Sequence, residues 1–431
     1  MLKDILKFRK KIVLIGVPVL VSRGVFVVWG FFTILIVRIL PEDTYAAYSL
    51  ARSIQVFAVM FGGSFMMQAF VKFVAEDNTD REKRIANAGI VLSLAAAIIV
   101  AGVLIVSGGL LQSFYSEIDL SGIPLALAVL VISSILSILP RNLLVARHMM
   151  KQIMYADIFS IMVRIGITCF FILTNSLRSP LQIFGAMIAG NIVAFGVNAL
   201  FARDLIDFSL GCEKPHFRLL FGFSLVALGA GLADCIYTRT DILLLGKLSD
   251  ESQVAGYSAC RTLTVLMVEL NTAAKIVTLP LISRMWSQHR RGEIVRRVMS
   301  TILIISIIQL PLIVLFACFP KEVLHLLFKG KYDFAWATLL ILGLLAIVRA
   351  FGSQFATMAV GIGKPSFPLY ALIASTIVNV ILNFLLIPEY GALGAAIATV
   401  FAVVAGGALV TFLTIRYWRV HRETPAVSKA G

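Results

Sequence analysis

Three arginines, Arg23, Arg164 and Arg349, each lie near the middle of a long apolar run. A charge at the centre of a bilayer costs at least roughly 2.5–3.5 kcal/mol on insertion scales, so such a residue faces a wet cavity or a partner. A guanidinium offers a planar fork of donors that matches phosphate oxygens. The chemistry within reach is therefore non-covalent capture of a phosphate-bearing anion. The other use of these arginines is pairing inside the membrane with Asp234 or Glu269. Arg52, Arg261 and Lys275 extend the cationic set. Arg261 and Lys275 are fourteen residues apart, which returns to nearly one helix face. Asp157, Asp234 and Glu269 are the candidate acidic partners within the same apolar runs.

Each charge also has a structural alternative. Arg239 and Asp241 can form an interfacial pair at the outer end of their helix. Arg52 and Arg261 can clamp loops through Glu42 and Glu251. Asp157 sits close enough to the inner interface to be exposed there. Asn191, Asn379 and Asn383 either line a cavity or bond between helices, and packing is the simpler expectation.

The elements that must carry these residues are membrane helices. The chain has 431 residues, is 59% hydrophobic and only 14% charged, and has a mean hydropathy of +0.95. Soluble chains carry nearer a quarter charged residues. A helical crossing takes roughly 20 apolar residues, and about twelve stretches between residues 12 and 417 qualify. Alternating strand patterns are absent, so helices satisfy the backbone. The expected class is an all-α polytopic membrane protein with about 12 transmembrane helices. The basic N-terminal segment leads into a run too long for a cleaved signal, so it reads as a retained first span.

The net charge of +15 suggests nucleic acid until its placement is followed. Alternate sides of the spans hold 25 and six of the 38 Lys and Arg residues, with seven inside spans. That asymmetry places both termini in the cytoplasm and argues against a nucleic-acid partner. Two segments, 1–11 and 283–300, interleave apolar and basic residues in a way that suits anionic lipid headgroups. Cys169, Cys212, Cys235, Cys260 and Cys318 have neither metal nor redox spacing. No phosphate-cradling ATP loop occurs. The chain is expected to need no metal and no cofactor, and to draw energy from a gradient, a coupling ion (H+ or Na+) being one source.

Residues 38–52, RILPEDTYAAYSLAR, align without a gap to 247–261, KLSDESQVAGYSACR. Glu42, Ala46, Tyr48, Ser49 and Arg52 recur as Glu251, Ala255, Tyr257, Ser258 and Arg261. The offset of 209 is close to half the chain. Both copies fall in the first outside loop of a six-span half, so halves 1–208 and 209–431 should share orientation, with a site between them.

These loops, the stretch LLFKGKYDFAWATLLIL at 326–342 and above all NFLLIPEYGALGAAIATV at 383–400 resemble polysaccharide exporters. The chain is similar to the O-antigen and polysaccharide flippase branch of the multidrug/oligosaccharidyl-lipid/polysaccharide exporter superfamily. Pro388 should end one span, and Gly391 and Gly394 should let the next begin close to its neighbour.

The resemblance implies a flippase that moves isoprenoid-pyrophosphate-linked oligosaccharide from the cytoplasmic to the outer leaflet of a bacterial inner membrane. It implies alternating access, the lipid tail passing between spans one and eight or two and seven, and work beside polysaccharide polymerase machinery for O-antigen, lipopolysaccharide or another surface glycan. The alternative is a cation-coupled multidrug exporter of the same superfamily. Such pumps want acids in the N-terminal half, which here holds three intramembrane arginines against one aspartate. A glycan-joining enzyme would want a large outside loop, and none is present.

Overall fold

The computed structural model describes residues 18, 21, 22, 24, 25, 27–63, 66, 69, 72–74 and 80–422, and every described element is helical. The helices are α1 (Val27–Ile39), α2 (Glu42–Phe61), α3 (Asp80–Val106), α4 (Gly108–Phe114), α5 (Ile123–Ala146), α6 (Met150–Leu173) and α7 (Pro180–Ala202). They continue as α8 (Lys214–Leu248), α9 (Glu251–Ser287), α10 (Arg291–Cys318), α11 (Pro320–Phe328), α12 (Trp336–Gly361) and α13 (Ser366–Arg422). Among the described residues nine helices are long and apolar enough to cross a membrane. The last is 57 residues long, about 85 Å at 1.5 Å per residue. It breaks at Gly391 (φ 51°, ψ −126°), so it makes two passes. That second pass makes ten, with α1 a shorter apolar helix and α2 outside that set among the described residues.

The chain forms two compact units, Met1–Cys235 and Ile236–Gly431, which meet within α8. In the first, α5 packs against α3, α6 and α7. Ile85, Ala88, Ile135, Leu139 and Leu143 fill the α3–α5 seam. Ala86, Ala88 and Ala97 are fully buried and let the helices approach closely, as small residues do in lipid. Ile98, Ile99, Val103 and Leu173 are exposed, which hydrocarbon permits and water would penalise. Helix α7 begins with a full capping box: Ser179 accepts from Leu181 N, and Gln182 Oε1 accepts from Ser179 N at 3.1 Å. Pro180 stands at its start, where a missing N–H costs nothing.

In the second unit α12 packs against α9, α10 and α13. Ile282, Ile302, Phe355 and Met358 form its core. Asp250 caps α9, accepting from Gln253 N at 2.8 Å. Gln253 in turn accepts from Ala392 N at 2.9 Å, just past the break in α13. A side chain at position 391 would run into Gln253, and a positive φ disfavours one in any case.

The repeated motif is mostly helix and not loop. Its two copies form the first turns of α2 and α9, with the link shortened to Leu40–Pro41 and Ser249–Asp250. The matched tyrosines are both buried but do different work. Tyr48 stacks on Phe184 at 5.6 Å, whereas Tyr257 donates to a carboxylate.

Candidate functional site

The first unit holds a half-open cavity of about 450 Å³. Three arginines reach it from three helices: Arg52 on α2, Arg141 on α5 and Arg164 on α6. Asp157 is the one carboxylate among the described lining residues, so two positive charges remain. Val56, Val59, Met60, Ile138 and Met187 supply an apolar wall.

Each polar group is held by a defined neighbour. Asp157, only 4% exposed, accepts hydrogen bonds from Arg141 and from Ser22. Arg52 donates to the Gln55 side-chain oxygen. Arg164 Nη2 donates to Asn191 Oδ1 at 2.8 Å. Asn191 Nδ2 donates to the Ser133 and Ser134 hydroxyls, each at 3.1 Å. Gln55 Nε2 reaches Ser134 Oγ at 3.4 Å. Gly190 makes room for the Arg164 stem: a Cβ there would lie 2.5 Å from its Cγ and Nε and 2.9 Å from the Ser160 carbonyl oxygen.

A second polar cluster lies inside the other unit. Asp241 on α8 is 3% exposed. It accepts from Tyr257 at 2.5 Å, Asn383 at 2.8 Å, Asn379 at 2.9 Å and Thr399 at 3.0 Å. All four donors are neutral. Asn383 is fully buried and its Oδ1 has no hydrogen-bond partner. Two amide N–H groups and two hydroxyls thus surround a buried carboxylate, and none of the four donors carries a charge.

Several expectations change. Asp157 is not exposed at the interface but sealed between Arg141 and Ser22. Arg52 does not clamp Glu42, nor Arg261 Glu251, because each pair lies ten residues apart on one helix, about 15 Å along its axis. Asp241 is held by four neutral donors and not by Arg239. The three asparagines bind charged groups and do more than fill space. Arg141 stands in the sequence among the basic residues of the inner side, yet α5 continues to Ala146 and Arg141 lines the cavity. Gln55 and Ser134 gave one sequence signal, a polar residue inside an apolar run.

The remaining described candidates do not line the cavity. Arg23 lies outside the described residues. Arg261 and Glu269 on α9 and Arg349 on α12 are half-buried, and among the described residues no ion pair joins them. Arg349 Nε is buried without a hydrogen-bond partner. Lys275 on α9 and Asp234 on α8 are exposed. No cluster of three metal-ligating side chains occurs among the described residues.

Polytopic apolar helices define a membrane protein, and its first unit holds a net-cationic, partly apolar cavity. Solved structures place the fold. The chain superposes on an inward-facing multidrug resistance MATE family transporter of the MOP superfamily with a TM-score of 0.76, at 15% identity and 96% coverage of both chains. It also superposes on the lipid II flippase MurJ in an inward closed conformation (TM-score 0.72, 15% identity, 94% of this chain and 89% of that one). Residues 35–337 match the polysaccharide biosynthesis protein family, and the chain belongs to it. A probable low-salt glycan biosynthesis flippase of Haloferax volcanii, Agl15, is 23% identical over 232 residues, 53% of this chain and 48% of that protein. The chain spans about half the length of the curated relatives it matches.

Proposed function

We propose that this protein is a flippase and not an enzyme. It carries isoprenoid-pyrophosphate-linked oligosaccharide from the cytoplasmic to the outer leaflet by alternating access of two six-helix halves, 1–208 and 209–431. The observation that carries this reading is the cavity of the first unit, where three arginines face one carboxylate that is already engaged. Its volume of about 450 Å³ falls in the range of small-ligand sites and suits a pyrophosphate with its first sugar. The apolar wall suits the first carbons of the lipid. Membership of the polysaccharide biosynthesis family and the likeness to a glycan flippase support the same cargo. O-antigen or another surface glycan is the expected product, with both termini cytoplasmic and a polymerase downstream. The Asp241 cluster is the place for the coupling ion.

The test uses proteoliposomes containing a fluorescent isoprenoid-pyrophosphate disaccharide, with a membrane-impermeant quencher outside. Protein-dependent redistribution between leaflets is expected, lost when Arg52 and Arg164 are both replaced by Ala. An imposed H+ or Na+ gradient should speed it, and Asp241→Asn should remove that response. Redistribution no faster than in protein-free vesicles would overturn the reading.

A further inference from the structure

The partners of Arg52 and Arg164 are amides and not acids. A guanidinium has donors and no acceptor. Gln55 and Asn191 must therefore turn their oxygens toward the arginines and their nitrogens away. Both nitrogens then converge on Ser134, with Ser133 as a second acceptor for Asn191. Ser134 Oγ donates its own hydrogen bond to the Leu130 carbonyl at 2.6 Å. Every donor in this chain has one possible direction, ending on the backbone of α5, so neither amide can flip without stranding an arginine. The usual ambiguity of an amide's orientation is removed here by chemistry.

The choice of amide has an electrostatic consequence. A carboxylate at either position would hold its arginine more strongly, since charge-assisted bonds are the stronger kind. It would also cancel the charge. An amide fixes the direction of the fork and leaves the full positive charge in place. Asp157, the acid lining the same cavity, is instead committed to Arg141 and Ser22.

We propose that Gln55 and Asn191 are positioning residues that aim the Arg52 and Arg164 forks while keeping them uncompensated for a polyanionic head. This rests on the anion-site reading above. Recognition then depends on the neutrality of two side chains that need not touch the cargo.

The experiment measures binding of inorganic pyrophosphate to the purified full chain by calorimetry, with membrane abundance recorded in parallel. Gln55→Glu and Asn191→Asp keep the shape and add one negative charge each. Pyrophosphate affinity is expected to fall about ten- to a hundredfold per substitution, the span of one lost charge-assisted contact. Abundance should stay near wild type, because each new acid gains a salt bridge. Gln55→Ala and Asn191→Ala remove the aim and add no charge. They should weaken binding less, while the dependence of affinity on ionic strength stays as in the wild type. If an acid variant fails to insert, its alanine counterpart carries the test. Full pyrophosphate affinity in the inserted variants would show a merely structural role for the amides and overturn the proposal. A wild-type chain that does not bind pyrophosphate would instead sink the anion-site reading and this inference with it.

Discussion

One methyl group at position 190 tests how the cavity holds its deepest arginine. Gly190 sits on α7 directly against the Arg164 stem, and a Cβ there would meet Arg164 Cγ and Nε at 2.5 Å. Real carbon contacts of that length do not occur, so Gly190→Ala must push the arginine aside. The Ser160 carbonyl at 2.9 Å also resists, because it is backbone and moves only with α6. Overpacking of this kind costs about 1–3 kcal/mol. The alanine returns about 0.5–1 kcal/mol through lower helix-forming entropy. The net loss of stability should therefore be at most about 2.5 kcal/mol, and about 1 kcal/mol at mid-range. The effect on function should be larger. A displaced fork leaves Asn191 and misses the anion, a charge-assisted contact worth roughly 1.5–3 kcal/mol, or about one to two decades of affinity at 1.4 kcal/mol per decade. Thermal unfolding in detergent reads the first quantity, and leaflet redistribution in proteoliposomes reads the second. The double variant Gly190→Ala with Arg164→Ala isolates the cause. It should unfold at a higher temperature than Gly190→Ala alone, because the main clash is gone, while transport stays low. Wild-type stability and wild-type transport in Gly190→Ala would refute this account of the arginine's placement.

Three further outcomes follow from named contacts. Gly391→Ala should lower the amount of inserted protein, because φ at 391 is positive and the added carbon meets Gln253; strain of this type costs roughly 1–3 kcal/mol, readable as membrane abundance. Ser179→Ala should lower thermal stability by about 1 kcal/mol through loss of the capping box, with transport rate per folded molecule unchanged. Cys212 and Cys318 are both exposed, and on the proposed topology they lie on opposite sides. An impermeant maleimide on right-side-out vesicles should label Cys318 and spare Cys212 until the membrane is opened; the reverse order would invert the proposed orientation.

Much of this fold is legible in the sequence because the bilayer leaves few choices. Apolar length marks most spans, and Gly391 marks the break in α13, whereas Pro388, expected to end the span, stays inside the helix three residues earlier. The central arginines stand out because a charge there needs a reason. Their partners were hard to find because they are not charges. Arg164 is held by Asn191, and Arg52 by Gln55, so opposite charges such as Asp234 and Glu269 do not reveal the partners. Asp241 was hidden for a related reason. Its four donors come from α9 and from both limbs of α13, at separations of 16, 138, 142 and 158 residues. No local spacing announces such a cluster. Arg141 and Asp157 both stand near span ends along the chain, whereas the depth of a residue depends on where its helix actually ends.

The bend in α13 has a mechanical meaning. Asn379 and Asn383 stand before Gly391 and Thr399 stands after it, yet all three grip the same carboxylate on α8. Asp241 is thus a clasp that joins the two limbs of a jointed rod. The joint itself is a single glycine, free to rotate where other residues are not. On the proposed coupling role, an ion at the clasp would be felt by both limbs at once, and the angle between two membrane spans would answer a change of charge on the helix beside them.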